Sequence, residues 1–187
     1  MSGFNLNEAS EKNTIDYQKP GIYDNVIITE VVAEKSSVKA VPYLKLVTKG
    51  TNGEVGSSAR MFLSTVVGEG KKTSAWAITA RHLVDLLKAT NNVDEATAKS
   101  MINVENEQQL ISKVSALLVG KPFRAKFKGE EGQKGGIFAV LSLVESMQVD
   151  KAASSLKFSI EKDIKKYEGP KTTEAPTSAA VNSDLPF

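Results

Sequence analysis

The sequence predicts a mainly β domain with an α insertion: a five-stranded antiparallel barrel with helices between the third and fourth strands, followed by a disordered C-terminal tail. Three observations carry this expectation. Segments rich in Val and Ile, or alternating apolar with polar residues, occupy the chain up to residue 64 and again from 121, which is the pattern of half-buried strands. Between 73 and 119 the apolar residues instead recur at helical spacing. From 168 onward the chain is small and polar with few apolar residues, too little to offset the entropy of ordering it.

Residues 1–19 read as a loosely ordered N-terminal arm. The run GIYDNVIITEVVAE, 21–34, is a long strand, and EKSSVKAV is a polar turn. In PYLKLVT, Tyr43, Lys45 and Val47 share one face and Leu44, Leu46 and Thr48 the other. Asn52-Gly53 in KGTNGEVG signals a hairpin, with SARMFLS, 58–64, as the partner strand. There Arg60 and Phe62 alternate with Met61 and Leu63. A helix over 73–90 places Trp76, Ala80, Leu83 and Leu87 together, and a second over 105–118 aligns Leu110, Ile111, Val114, Leu117 and Leu118. Gly120 suits the cap of that second helix and Pro122 blocks its continuation. VDEATAKSMI suits a short helix between the two. In KPFRAKFKG, Phe123, Ala125 and Phe127 oppose Arg124, Lys126 and Lys128. EEGQKGG is a glycine-rich loop, and IFAVLSLVESMQV is the last clear strand. In 151–167, LKFSI suits a strand and EKDIKKYE a short helix.

Three strands, a helical insertion and two strands are the plan of the OB barrel. An unrelated α+β sandwich with the same element order is the alternative. The expected organisation is an arm over 1–19, an OB-like nucleic-acid-binding domain over 20–167, and a tail over 168–187.

Composition narrows the chemistry. The chain has 187 residues, of which 41% are hydrophobic, enough for one core. It has no cysteine, which excludes disulfides and thiol nucleophiles and fits a reducing compartment. Its single histidine, His82, excludes multi-histidine zinc centres. The carboxylates are scattered rather than clustered as a two-metal nuclease requires. GEGKKTS lacks the spacing of a phosphate-binding loop. The expectation is a non-enzymatic protein with no metal and no cofactor. No apolar run reaches the length of a membrane span, and the start MSGFNLNEASEKN lacks the regions of a signal peptide. The expected location is the cytoplasm, with no membrane partner.

Lys and Arg total 24 against 22 acidic residues, a net charge of +2, so location matters more than the total. Lys121, Arg124, Lys126, Lys128 and Lys134 lie near only Glu130 and Glu131, a local charge of +3. A positive strand leading into a glycine loop can track a phosphate backbone. The competing reading is a half-exposed strand whose lysines keep it soluble and discourage edge pairing. Tyr43 with Lys45, Phe62 with Arg60, and Phe138 after the loop are candidate stacking rings. Core packing competes evenly with stacking for Tyr43 and Phe62, and prevails for Phe123 and Phe127. Lys35 and Lys39 in the first turn, Lys49 at the second hairpin and Lys71-Lys72 before the helix are further phosphate candidates, Lys39 counted with the site, though each alone reads more simply as a solvated surface lysine.

The chain ends VNSDLPF. A basic OB-like domain, a disordered linker and an acidic-Leu-Pro-Phe terminus resemble the bacterial single-stranded DNA-binding protein family, matched here by Asp184, Leu185, Pro186 and Phe187. That family typically carries several aspartates before the apolar tip; Asn182 and Ser183 stand in their place here. The long insertion makes the whole more similar to the divergent bacteriophage-encoded members. The resemblance implies coating and protection of exposed single strands during replication, recombination and repair, in a host bacterial cytoplasm. It also implies recruitment of replication and repair proteins through the tip. The rival from another class is a protein-interaction module that mimics such a tip without itself touching DNA. The near-neutral charge favours the rival, and the RAKFK strand opposes it.

Overall fold

The computed structural model describes residues 15–167 apart from positions 38 and 133. The C-terminal tip, Asp184 to Phe187, and most of the expected arm lie outside the described residues.

Strand β1 (Gly21–Lys35) is long because it serves two partners. Its first half pairs antiparallel with β5 (Pro122–Glu131), from Gly21 against Phe127 to Ile27 against Pro122. Its second half pairs with β2 (Pro42–Lys49), from Ile27 against Lys49 to Lys35 against Pro42. Register shifts at 23–26 and 28–30 turn the strand from one neighbour to the other, as bulges do where a sheet must bend. Asn25 takes the left-handed conformation at the first of them, with φ 54, a geometry Asn tolerates better than most residues. Strand β2 pairs with β3 (Val55–Ser58), and β3 lies parallel to β6 (Ile137–Glu145), which returns antiparallel to β5. The circuit β1-β2-β3-β6-β5 closes through the β1–β5 pairing. The result is a closed five-stranded barrel, consistent with an OB-like barrel, and not an open sandwich.

The third strand differs from expectation. The run 58–64 does not form one strand; β3 starts earlier, at Val55, and a two-residue β4 (Met61–Phe62) follows after a break. The Ser58 hydroxyl makes the break. It accepts a hydrogen bond from the Leu46 N–H at 2.9 Å and donates to the Ala59 carbonyl at 2.8 Å. A side chain thus replaces a ladder bond, and the chain bends.

Helices α1 (Ala75–Asn91), α2 (Glu95–Met101) and α3 (Glu107–Leu118) separate β4 from β5. Each starts on a side-chain cap: Ser74, Asp94 and Asn106 accept from the backbone N–H three residues on. Leu83, Leu86 and Leu87 of α1 and Leu110, Val114 and Leu118 of α3 join Val26, Ile28, Leu44, Leu46, Phe123, Ala125 and Phe127 in one core. Fully burying one such leucine or phenylalanine contributes about 1.5–3 kcal/mol. The insertion therefore plugs the barrel. The Thr79 hydroxyl, donating to the Phe62 carbonyl at 2.8 Å, ties α1 to β4.

Both ends of the described chain are built into the wall. Within the stretch expected as the arm, the described residues 16–18 are bonded to the barrel. Asp16 accepts from the Val55 N–H at 2.7 Å and Gln18 donates to the Val55 carbonyl at 2.9 Å, so 16–18 run beside β3. Gln18 is buried and accepts from Thr48. After β6 the chain forms a strap. A 3-10 turn (Lys151–Ala153) and a single-turn α4 (Ile160–Asp163) lead to β7 (Ile164–Lys165), which pairs parallel with β5 at Gly129 and Glu130. LKFSI is not a strand, apart from its last residue opening α4.

Candidate nucleic-acid interface

Tyr43, Lys45 and Val47 point outward from β2 because Leu44, Leu46 and Thr48 fill the interior. The outer face continues across the barrel through one row of paired residues, Val47, Ser57, Val140 and Lys128. Two hairpins rise beside this floor. One joins β1 to β2 and carries Glu34 and exposed Lys39; the other joins β5 to β6 and carries Glu130, Glu131, Gly132, Phe138 and exposed Lys134. A hollow between them is lined by Glu34, Tyr43, Lys45, Arg60, Glu131 and Phe138 among others.

Within the hollow the aromatic residues divide. The Tyr43 ring is only 5% exposed. Arg60 lies over it, 5.2 Å from the ring centroid, and Phe62 packs edge-on at 5.6 Å. The Tyr43 hydroxyl donates to Glu34, and that bond holds the phenol above its ordinary range. Tyr43 thus supports Arg60 and has no free face for a base. Phe138 is 65% exposed and open, and Phe62 is half-buried. Among the described residues no carboxylate lies within ion-pair distance of Arg60 or Lys45, so their charges are available to an anion.

The basic strand is where the structure corrects the sequence most. Arg124 and Lys126 do face away from Phe123, Ala125 and Phe127, but they are 4% and 8% exposed. Arg124 bonds Asp24 at 2.6 Å and Glu145 at 3.0 Å. Lys126 bonds Asp163 of the strap at 2.8 Å. The arginine hydrogen bond lowers the Asp24 pKa, and the lysine hydrogen bond lowers that of Asp163. Burial alone would raise Glu145, but hydrogen bonds from Ser154, Ser155 and Arg124 outweigh it and hold the group at about 2. These cations are neutralised and walled in. The shared exposed face expected for Arg124, Lys126 and Lys128 is therefore reduced to Lys128, whose side chain is 46% exposed.

Lys121 lies at the start of β5 and donates to Asn91 at the end of α1. It stands nine positions before Glu130, about 30 Å along an extended strand, so it does not join the hollow. The structure thus gathers Tyr43, Lys45, Arg60, Phe62 and Phe138, flanks them with Lys39, Lys128 and Lys134, and sets Lys121, Arg124 and Lys126 apart. The Glu34 contact was missed by sequence reasoning; the period-two phase of 30–35 against 42–47 is the signal that opposes it to Tyr43. Neither protein-family models nor curated proteins match this chain.

Proposed function

We propose that the barrel binds single-stranded DNA without regard to sequence, with the hollow between its two hairpins as the site. One observation carries the reading: an open aromatic ring, Phe138, shares a hollow on a closed barrel with the cations Arg60 and Lys45, which make no ion pair among the described residues. Bases stack on a ring whatever their identity, and cations follow the backbone. The strand circuit, with β3 parallel to β6 and helices between β4 and β5, supports the OB assignment, whose strand 2–3 face and flanking loops take oligonucleotides. A hollow that also holds Glu34, Glu130 and Glu131 suits flexible single strands better than a rigid, densely charged duplex. In this reading the protein coats single strands during replication, recombination or repair. The tip Asp184-Leu185-Pro186-Phe187 recruits partner proteins, as the resemblance to phage-encoded single-stranded DNA-binding proteins implies.

Titration of a fluorescent oligothymidylate and of a duplex, over a range of salt, tests the reading. Preference for the single strand is expected, with affinity falling as salt rises because displaced counterions scale with phosphates contacted. Equal affinity for both, or none for either, rejects it. The second reading, a protein-interaction module, draws on another feature: an apolar slot between α1 and β6, lined by Leu46, Met61, Leu86, Leu141 and Leu143. A protein that ignores DNA yet still retains replication proteins on a column would favour that reading.

A further inference from the structure

Asp163 does more than neutralise Lys126. It is the fastening of a strap that brings a second set of cations to the flank of the hollow. Its carboxylate takes the Lys126 ammonium at 2.8 Å and the Ser159 N–H at 2.9 Å. Two residues further, Lys165 lies opposite Glu130 on β5, and Glu130 lies opposite Phe138 on β6. Directly paired residues project from the same face of a sheet. Phe138, Glu130 and Lys165 therefore form one outward row across three strands, with about 10 Å between its ends at the usual strand spacing. The Tyr167 N–H donates to Glu131 at 3.1 Å and closes the strap against the same hairpin. Ile164 and Pro20 cover Gly129, where even a Cβ would stand 3.2 Å from Ile164 and 2.9 Å from Pro20.

The strap carries Lys162, Lys165 and Lys166, all exposed. Among the described residues no carboxylate lies within ion-pair distance of any of the three. Of the acids nearby, Asp163 is already engaged by Lys126, and Glu130 lies opposite Lys165 without reaching ion-pair distance. Lys128 stands 4.0 Å from Asp163 and remains largely open, so it lies between the hollow and the strap.

We propose that Lys162, Lys165 and Lys166, with Lys128, form a second phosphate-contacting segment, along which a single strand leaving the Phe138 ring continues over the β5–β6 hairpin. The ligand class is the sugar-phosphate backbone of a single-stranded nucleic acid, and what these lysines meet is its charge. The proposal rests on the hollow being a single-strand site. It extends the footprint from a few nucleotides at the hollow to a longer one, within the roughly 4–16 nucleotides that such barrels cover.

The test uses the full chain, oligothymidylates of about 6 and about 20 nucleotides, and two charge-matched variants. Lys162→Ala/Lys165→Ala/Lys166→Ala removes strap cations that make no ion pair among the described residues, so its melting temperature should equal the parent's. Lys88→Ala/Lys99→Ala/Lys113→Ala on the helical insertion controls for net charge. The strap variant should bind the 20-mer about tenfold more weakly or worse. Its salt slope should shrink by about 2, the value for three phosphates on a single strand, while 6-mer binding should equal the parent's. Unchanged 20-mer affinity and slope in the strap variant, or an equal loss in the control, overturns the proposal and leaves the hollow standing. A parent protein that binds neither oligonucleotide rejects the hollow first and the strap with it.

Discussion

The fate of each aromatic residue depends on what covers it. Tyr43 and Phe62 share a strand face with cations, yet Tyr43 is roofed by Arg60 while Phe138 stands open. Phe138→Ala should therefore cost roughly 1–3 kcal/mol of single-strand binding, about 5- to 150-fold in Kd. Its melting temperature should not move, because an exposed ring stabilises nothing. Tyr43→Phe should leave the ring in the wall but release Glu34, so its binding loss should be smaller than that of Phe138→Ala. Fluorescence titration and thermal melting of both variants check this pair; a melting loss for Phe138→Ala would place that ring in the fold instead.

At the scale of elements, the barrel seam turns on one hydroxyl. Ser58 receives the Leu46 N–H inside the wall and thereby splits β3 from β4. The split leaves Arg60 outside the ladder, free to lie over Tyr43. Ser58→Ala would strand a buried N–H, at a cost of about 1–3 kcal/mol, read as a lower urea midpoint. Because Arg60 depends on the bend, the variant should also lose single-strand affinity while folded. Ser58→Thr, which keeps the oxygen, should recover binding in proportion to the stability it recovers. A stability loss with unchanged affinity would separate Arg60 from the bend.

Across the whole molecule, ion pairs fasten the strap and the β1 bend to the barrel. Asp24, Glu145 and Asp163 all titrate below their ordinary values in the fold. A carboxylate with a depressed folded pKa stabilises the protein above its unfolded value and loses that contribution as pH falls through the folded one. For Glu145 the window runs from its ordinary 4.5 down to about 2. The melting temperature should therefore be flat above about pH 5 and fall steeply below 4.5, as Glu145 and the two aspartates lose their pairs. Arg124→Ala should lower the melting temperature by several degrees at pH 7, since it leaves Glu145 and Asp24 without their cation, and should flatten the acid slope. Single-strand affinity at temperatures where the variant is folded should be unaltered. A variant that keeps its stability but loses DNA would return Arg124 to the interface.

Periodicity alone determined much of this protein. Two-residue alternation separated the two faces of 43–48 and of 123–128, and helical spacing located the insertion that plugs the barrel, because both signals are local and set by backbone geometry. Lys45, Arg60 and Phe138 of the hollow, and Phe62 packed against Tyr43 beside it, were legible as well: Lys45, Arg60 and Phe62 each stand one position from a core residue, and Phe138 follows the glycine loop. What alternation cannot report is the company an outward residue keeps. Arg124 meets Asp24 from 100 positions away in the chain, and Lys126 meets Asp163 only because β7 adds to the β5 edge. The parallel β3–β6 seam rests on two residue pairs with no sequence signature. Only the tertiary structure decided which cations of the outer face are free to meet a ligand, because burial and ion pairing depend on approach through space, and residues distant in sequence supply it.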